Sequence, residues 1–148
     1  MSTQPILDSL PGVPAGSVEH DPYTFVLKMF CTRWKPFLLK AIEFDSDCTR
    51  FSKFTRQLPI STKVLSQNLR ELEADHLIYR TVYWEVPPRV EYHLTELGLS
   101  VCALLQQLYD WGWHEMKRRG LPIDPLGEMW HGYRERDSDI MDSPHRGR

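Results

Sequence analysis

The segment ISTKVLSQNLRELEADHLI, residues 60–78, decides the fold because its helical repeat separates two chemically different faces. Leu65, Leu69 and Leu72 recur at i, i+4 and i+7, which is the spacing of a helix face that packs on a core. The opposite face carries two cations, a hydroxyl and an amide, and the acids come only in the later turns. Those four residues are Lys63, Ser66, Gln67 and Arg70. The pattern predicts a helix that offers positive charge and hydrogen-bonding groups to a partner.

A second, shorter helix is predicted directly before this one. Ser52 is expected to cap a helix over residues 52–58, which Pro59 ends. Ser61 is then expected to cap the next helix, over residues 61–75. Two helices joined by only a Pro-Ile turn must cross steeply, which is the arrangement of a helix-turn-helix.

The residues after this pair predict a β-hairpin and a long helix. Residues 79–84 are rich in β-branched and aromatic side chains, and residues 90–94 alternate between apolar and polar, as strands with one buried face do. The EVPP sequence between them cannot continue a ladder because proline has no N–H, so it is expected to form the hairpin tip, with Arg89 at its exit. Thr95 is then expected to cap a helix over residues 96–119.

The remaining sequence extends this unit at both ends. Residues 1–20 contain prolines and glycines without periodicity and predict a flexible arm, and residues 121–148 predict a loosely structured tail. Between them, Asp21 is expected to cap a first helix, and Pro36 to lie in the first turn of a second. The predicted fold is mainly α with a small β-hairpin (α+β): a winged helix-turn-helix over residues 21–120 with helices at both ends.

The charge distribution is more informative than the net charge, which is −2 for the 148 residues. Residues 49–70 contain five Lys or Arg and no Asp or Glu, which indicates an anionic partner, with an ordinary solvated surface as the alternative. No apolar run of about 18 residues and no secretory signal pattern is present, so no membrane segment is expected. Three widely spaced cysteines indicate reduced thiols in a cytoplasmic protein.

The predicted fold and the charge pattern together indicate binding to double-stranded DNA. An α-helix fits the major groove, where Arg and Lys pair with guanine, Gln and Asn with adenine, and Ser with either. Arg89 is expected to enter a minor groove, with an ion pair to Glu85 as the alternative. The cations before the second helix are expected to contact phosphates. The predicted DNA contacts are Arg50, Lys53, Arg56, Ser61, Thr62, Lys63, Ser66, Gln67, Arg70 and Arg89.

The apolar residues exceed what one small core can bury. On the last helix, a row that includes Leu97, Leu104 and Trp111 is expected to face the core, and a second row points elsewhere. The first helix also carries large apolar residues. Two spare surfaces predict a two-fold homodimer, with burial under the chain's own tails as the alternative. The predicted interface residues are Tyr23, Val26, Leu27, Phe30, Leu105, Leu108, Tyr109, Trp113 and Met116.

Signatures of catalysis and of metal binding are missing from the sequence. It contains no GxxxxGK[ST] phosphate loop, no HExxH, no CxxC pair and no glycine-rich dinucleotide turn. Its histidines and cysteines form no recognisable metal set. We therefore expect no enzyme activity, no catalytic residue, no metal and no cofactor.

Three stretches resemble the HxlR-type family of bacterial transcription regulators. They are RWKPFLL (33–39), RFSKFTRQLPIS (50–61) and LSQNLRELEADHLIYRTVYWEVPPRVEYHLTELG (65–98). The resemblance extends over about residues 21–113. It implies a homodimer with one winged helix in each subunit, bound to a palindromic promoter site as a repressor or an activator. It leaves open whether a small-molecule effector takes part. A winged helix that binds another protein without reading bases is the alternative function.

The sequence departs from the family pattern at three places. Some members sense oxidants or electrophiles through a cysteine just before a proline near the first helix, and here Asp21 stands in that position. Cys31 and Thr32 replace the usual Gly-Gly pair, and His76 replaces a glycine that would suit a left-handed helix end. Three passive thiols remain one interpretation. If any cysteine responds to oxidant, Cys31 is the candidate, because a neighbouring arginine could lower its pKa. Cys102 is expected to be packed and inert, and Cys48, in an acidic loop, to stay protonated.

Overall fold

The computed structural model describes residues 18–45, 49–127 and 131. The chain divides after Leu105 into two compact units. The order of the elements, with a tight helix pair, a hairpin and a long helix, confirms the predicted winged helix-turn-helix. The elements are α1 Pro22–Met29, α2 Lys35–Phe44, β1 Thr49–Arg50, α3 Phe51–Gln57, α4 Thr62–Ala74, β2 Ile78–Tyr83, β3 Arg89–Leu94 and α5 Glu96–Arg118.

The predicted arm and tail lie mostly outside the described residues. Of the arm, residues 18–20 are described, and they are exposed. Of the tail, residues 121–127 are described without a break, and residues 125–127 are helical. The domain boundaries at residues 20 and 120 therefore stay predictions. In the described part of the chain, no helix has the length and hydropathy that crossing a membrane requires.

Three helices begin where the sequence predicts, because a side chain caps each of them. Oδ1 of Asp21 accepts a 2.7 Å hydrogen bond from the backbone N–H two residues later, at the start of α1. Oγ of Ser61 accepts one of 3.3 Å at the start of α4. The hydroxyl of Thr95 accepts one of 3.0 Å at the start of α5. Each cap satisfies a backbone donor that the helix itself leaves without a partner.

The start of α3 differs from the prediction. The sequence predicts Ser52 as the N-cap, but the helix begins at Phe51, and Arg50 in the cap position makes no side-chain capping bond. Thr49 and Arg50 form the short strand β1, which pairs antiparallel with β3. This pairing holds the backbone extended up to Arg50, so the helix begins at the next residue.

The three strands form one antiparallel sheet in the order β1-β3-β2. The hairpin register runs from the pair Ile78 and Leu94 to the pair Tyr83 and Arg89. The two strands lie within one residue of the predicted ranges, and the proline-containing tip joins them as expected. The hairpin is therefore the wing that follows the helix-turn-helix.

The core of the first unit lies between the helices and one face of the sheet. Each element of the winged helix except α1 contributes at least one buried residue, and the three leucines of α4 are almost fully buried, as predicted. The buried apolar residues are Phe30, Leu38, Leu39, Ala41, Ile42, Phe54, Leu58, Leu65, Leu69, Leu72, Leu77, Ile78, Tyr92, Leu94, Val101, Cys102 and Leu105.

A compact junction joins the end of the helix-turn-helix to the start of α5. The hydroxyl of Thr95 lies 2.6 Å from the carbonyl oxygen of His76 and 3.1 Å from that of Leu77. The backbone N–H of Thr95 also donates to the Leu77 carbonyl, at 3.1 Å. Gly98 packs directly on the same carbonyl, since a Cβ added there would lie 2.0 Å from its oxygen. Glycine is therefore the residue that allows α5 to approach so closely.

Helix α4 ends in a left-handed turn at His76, which has a φ of 58°. The backbone N–H of His76 donates to Glu73, and that of Leu77 donates to Leu72, each at 3.0 Å. This pair of bonds is the Schellman motif, which usually has glycine at the left-handed position. Histidine therefore adopts here the left-handed conformation that the family's glycine would suit.

We expect Gly98→Ala to destabilise the fold by about 2–4 kcal/mol, because the new methyl group would overlap the Leu77 carbonyl. Chemical denaturation of the full chain measures this change. The control is Gly112→Ala in the same helix, where an added Cβ meets nothing within 4 Å. That variant should gain about 0.5–1 kcal/mol, because alanine is the better helix former. Equal effects at the two positions would contradict the close packing at Gly98.

We expect His76→Gly to stabilise the fold by about 0.5–1 kcal/mol, because glycine adopts a positive φ without steric cost. The measurement is again the free energy of unfolding. Asp75→Gly is the matched control, since Asp75 has an ordinary φ of −83°. The control should lose stability, through the greater chain entropy of glycine in the unfolded state. A loss at both positions would show that the left-handed turn is not strained.

Candidate nucleic-acid interface

The outer face of α4 is open along its predicted contact residues. Lys63, Gln67 and Arg70 are exposed and Ser66 is half-buried. In the part of the chain that the structure describes, neither Lys63 nor Arg70 has an ion-pair partner. The helix can therefore present two uncompensated cations, an amide and a hydroxyl to a ligand. Ser61 and Thr62 are exposed at its N-terminal end, where backbone N–H groups attract anions.

The acid nearest to this face is held by a buried lysine. Nζ of Lys35 lies 2.9 Å from Oε2 of Glu71, and only 3% of Lys35 is exposed. The hydrogen bond from Lys35 lowers the pKa of Glu71, against the opposing effect of burial. Oε1 of Glu71 in turn accepts a 3.2 Å hydrogen bond from Nε2 of Gln67. The sequence analysis missed Lys35, although a lysine within the apolar stretch RWKPFLL is a detectable signal.

The cations that precede α4 do not all remain available. Nζ of Lys53 forms an ion pair with Oδ1 of Asp45, whose other oxygen accepts a 3.0 Å hydrogen bond from Thr49. The expectation that Lys53 contacts phosphate stays a prediction, and this ion pair would compete with that contact. Arg50 and Arg56 are exposed and line a shallow pocket with Lys53. These two arginines are the stronger candidates for phosphate contacts.

Arg89 adopts the alternative contact that the sequence left open. Its guanidinium lies 3.4 Å from Glu85 across the hairpin tip and 4.2 Å above the ring of Tyr83. Its Nε also lies 3.4 Å from Oε1 of Glu91, without hydrogen-bond geometry. Insertion of Arg89 into a minor groove, the favoured prediction, would require release from both carboxylates. Arg80 on β2 is an exposed cation that the sequence analysis did not include.

Helix α1 carries the first of the two predicted apolar surfaces. None of its eight residues is buried. Tyr23 is 81% exposed and Leu27 56% exposed, and Val26 is half-buried. Phe30, which follows the helix, is only 4% exposed. Its assignment to a spare surface is therefore wrong, because it already packs within the chain.

The apolar surface of α5 also differs from the prediction. Leu105 is only 5% exposed, whereas Leu108 is 58% and Trp111 69% exposed. Leu97 and Leu104 are also exposed. The row that was expected to face the core is therefore buried only in part, and most of it remains open.

The second row of α5 contacts residues of the same chain. The Tyr109 hydroxyl donates a 2.6 Å hydrogen bond to the carbonyl of Gly127. The Trp113 ring stacks on that of His131, with the ring centroids 3.8 Å apart. Met116 is half-buried. The alternative prediction was that the chain's own tail covers this row. These contacts agree better with that prediction than with a free surface.

The cysteines offer little support for a redox site. Cys31 is half-buried, and burial raises its pKa. The prediction that positive charge lowers the pKa of Cys31 is therefore wrong. Cys102 is buried, with Sγ 3.7 Å from the carbonyl oxygen of Leu39, as expected for a packed thiol. Cys48 lies outside the described residues. In the parts of the chain that are described, no three His, Cys, Asp or Glu side chains are grouped so that they could hold a metal.

Comparison with known proteins agrees with this architecture. The family model described as HxlR-like helix-turn-helix matches residues 29–119. An uncharacterised HTH-type transcriptional regulator of Methanothermobacter thermautotrophicus is 47% identical over 81 residues, which are 54% of this chain and 60% of that protein. The uncharacterised HTH-type transcriptional regulator YybR of Bacillus subtilis is 39% identical over 92 residues, which are 62% of this chain and 72% of YybR.

Solved structures of transcriptional regulators also match this chain. The crystal structure of the HTH-type transcriptional regulator YtcD is 38% identical and has a TM-score of 0.60, covering 65% of this chain and 97% of that one. The redox regulator HypR in its oxidised form is also 38% identical, with a TM-score of 0.58, over 63% of this chain and 95% of HypR. Together with the geometry above, these matches show that the chain belongs to the HxlR-like helix-turn-helix family of transcriptional regulators.

Proposed function

We propose that this regulator binds double-stranded DNA in a sequence-specific manner, as a homodimer on a palindromic promoter site. The observation that carries the proposal is the exposed face of α4, with Lys63, Gln67 and Arg70 open to a ligand. Helix α4 begins after a short turn, as a recognition helix does, and its N-terminal half carries no acid. A regulator that binds the chromosome in this way would act in the cytoplasm.

The chemistry of α4 suits the floor of the major groove. Arg70 and Lys63 can donate to the O6 and N7 atoms of guanine, and Gln67 can pair with adenine through both ends of its amide. Ser66 can adapt to either kind of base edge. The acid that would repel phosphates, Glu71, is paired with Lys35 instead of facing outward alone.

The phosphate contacts are assigned to groups beside this face. Arg50 and Arg56 are exposed at the edge of the helix-turn-helix, and the backbone N–H groups at Ser61 and Thr62 lie at a helix N-terminus. Contacts of this kind add affinity and fix the register without selecting a sequence. Arg89 joins them if its contacts with Glu85 and Glu91 open on the DNA.

The homodimer is supported by apolar side chains that are exposed in the described part of the chain. A helix as short as α1, with no buried residue, gains little stability in water without a partner. On α5, Leu108 and Trp111 are exposed at helical spacing. A second copy offers matching surfaces by symmetry. Two winged helices bound to half-sites one turn of DNA apart would place their recognition helices about 34 Å from each other.

A winged helix that binds another protein is the second candidate. It is favoured by the wing tip, where Trp84 is 90% exposed and Val86 is also open. Salt separates the two functions, since DNA binding weakens steeply with salt through release of counterions. An apolar protein interface would not show that dependence.

We expect Arg70→Ala to weaken binding to a selected DNA site by about 1–3 kcal/mol and to relax base preference. Arg56→Ala should weaken binding to all duplexes alike and reduce the salt slope by about 1. Fluorescence anisotropy over a range of salt concentrations measures both effects. Arg118→Ala is the control, because Arg118 pairs with Glu115 on α5, away from α4 in the sequence. Salt-independent binding of the wild type would exclude the proposed DNA contact.

We expect Trp111→Glu to convert the dimer to a monomer and to weaken DNA binding about 100-fold or more, since each half-site alone supplies only part of the affinity. Sedimentation at micromolar concentration measures the state of association. Val86→Glu is the control for the state of association only, because it places the same charge on an exposed apolar residue outside α1 and α5. A wild-type chain that sediments as a monomer would disprove the homodimer.

A further inference from the structure

Lys35 is unusual because it is a charged residue in the interior of the helix-turn-helix. Its ammonium group donates to the carbonyl oxygen of Lys28 at 3.4 Å and pairs with Oε2 of Glu71 at 2.9 Å. Burying a charge is costly unless such partners compensate it, so these contacts fix the position of the ammonium group. An immobile cation in turn restricts the Glu71 carboxylate, although that side chain is about half exposed.

The second oxygen of the same carboxylate reaches the DNA-reading face. Nε2 of Gln67, four residues before Glu71 on α4, donates to Oε1 of Glu71 at 3.2 Å. An exposed glutamine on its own would sample several rotamers, each of which presents its amide differently. Here a continuous set of contacts runs from the buried Lys35 through Glu71 to the Gln67 amide.

We propose that Lys35 and Glu71 are positioning residues that determine which base Gln67 prefers. This inference rests on the proposed reading of DNA by α4. Glu71 accepts a hydrogen bond from one of the two N–H groups of the Gln67 amide. The other N–H and the carbonyl oxygen remain available to a base in the groove. One donor beside one acceptor is the complement of adenine in the major groove, which offers N7 as acceptor and N6 as donor.

The ionisation state of Glu71 suits this contact at neutral pH. The hydrogen bond from Lys35 holds the pKa of Glu71 below its ordinary value of 4.5, so the carboxylate stays ionised at neutral pH and accepts from both partners. The Gln67 amide is therefore oriented before DNA arrives, and less rotamer entropy is lost on binding.

The test is the base preference of the full-length protein, determined by selection from a pool of random duplexes and then by titration of single-base variants. We expect Gln67→Ala to reduce discrimination at one base pair of each half-site by about tenfold. Glu71→Ala should reduce discrimination at the same base pair by about fivefold or more, with the other positions unchanged. The double variant Gln67→Ala/Glu71→Ala should discriminate no less than Gln67→Ala alone.

Two further variants protect the test against loss of folding. Lys35→Met/Glu71→Ala removes both charges, so that no buried ammonium group is left without its partner. It should show the same relaxed preference as Glu71→Ala. Glu73→Ala is the matched control, as it removes an acid from the same helix two residues further on, and it should keep the wild-type preference.

The outcomes separate this inference from the proposed function. If Glu71→Ala and Lys35→Met/Glu71→Ala both keep the wild-type base preference, Lys35 and Glu71 do not position Gln67. Sequence-specific binding would still stand in that case. The inference would also be overturned if Glu71→Ala changed base discrimination by the same factor in the wild type and in Gln67→Ala. A wild-type protein without base preference would instead reject the proposed function, and the inference with it.

Discussion

The carbonyl group of Leu77 is the point on which the arrangement of the winged helix depends. It follows the left-handed turn at His76 and accepts from the backbone of Thr95, with the Thr95 hydroxyl 3.1 Å away. Gly98 packs against it at a distance that leaves no room for a Cβ. One backbone group therefore joins the end of α4, the end of the wing and the beginning of α5. Because α4 is held at its C-terminal end by this group and along its inner face by Leu65 and Leu69, its outer face can be exposed and still be fixed in direction.

Tertiary contacts pair several acids of the helix-turn-helix and of the wing with cations instead of leaving their charge uncompensated. Glu71 pairs with the buried Lys35, and Asp45 pairs with Lys53. Glu91 contacts Arg89. Each pair also uses a cation, so the number of free positive charges is smaller than the sequence alone indicates. Lys63 and Arg70 on α4 keep their charge available, and this concentrates the positive potential on the proposed reading helix.

The apolar surfaces show how the same residue types are divided between core and interface. Phe30 and Leu105 are enclosed by the chain, while Tyr23, Leu108 and Trp111 are open. Tyr109 and Trp113 contact residues 127 and 131. The apolar residues that are exposed in the described part of the chain are therefore a subset of those that hydrophobic spacing predicts. They include residues of α1 and of the row of α5 that contains Trp111.

The sequence by itself determined the order of the elements and the start of three helices. These features depend on local chemistry: Asp21, Ser61 and Thr95 cap helices through bonds to residues only two or three positions away. The polar and apolar faces of α4 likewise follow from helical spacing, because a period of 3.6 residues places its three leucines together. The family resemblance rests on the same contiguous stretches.

Only the tertiary structure decided the partners of residues that are distant in sequence. The pairing of Lys35 with Glu71 joins positions 36 residues apart, and no local pattern specifies it. The start of α3 depended on strand pairing between Thr49, Arg50 and β3, and this overrode the preference of Ser52 for a cap. The two rows of α5 have the same apolar character, so spacing could not tell which would be buried. That choice depends on which neighbours pack against each row, and it is made by the fold as a whole.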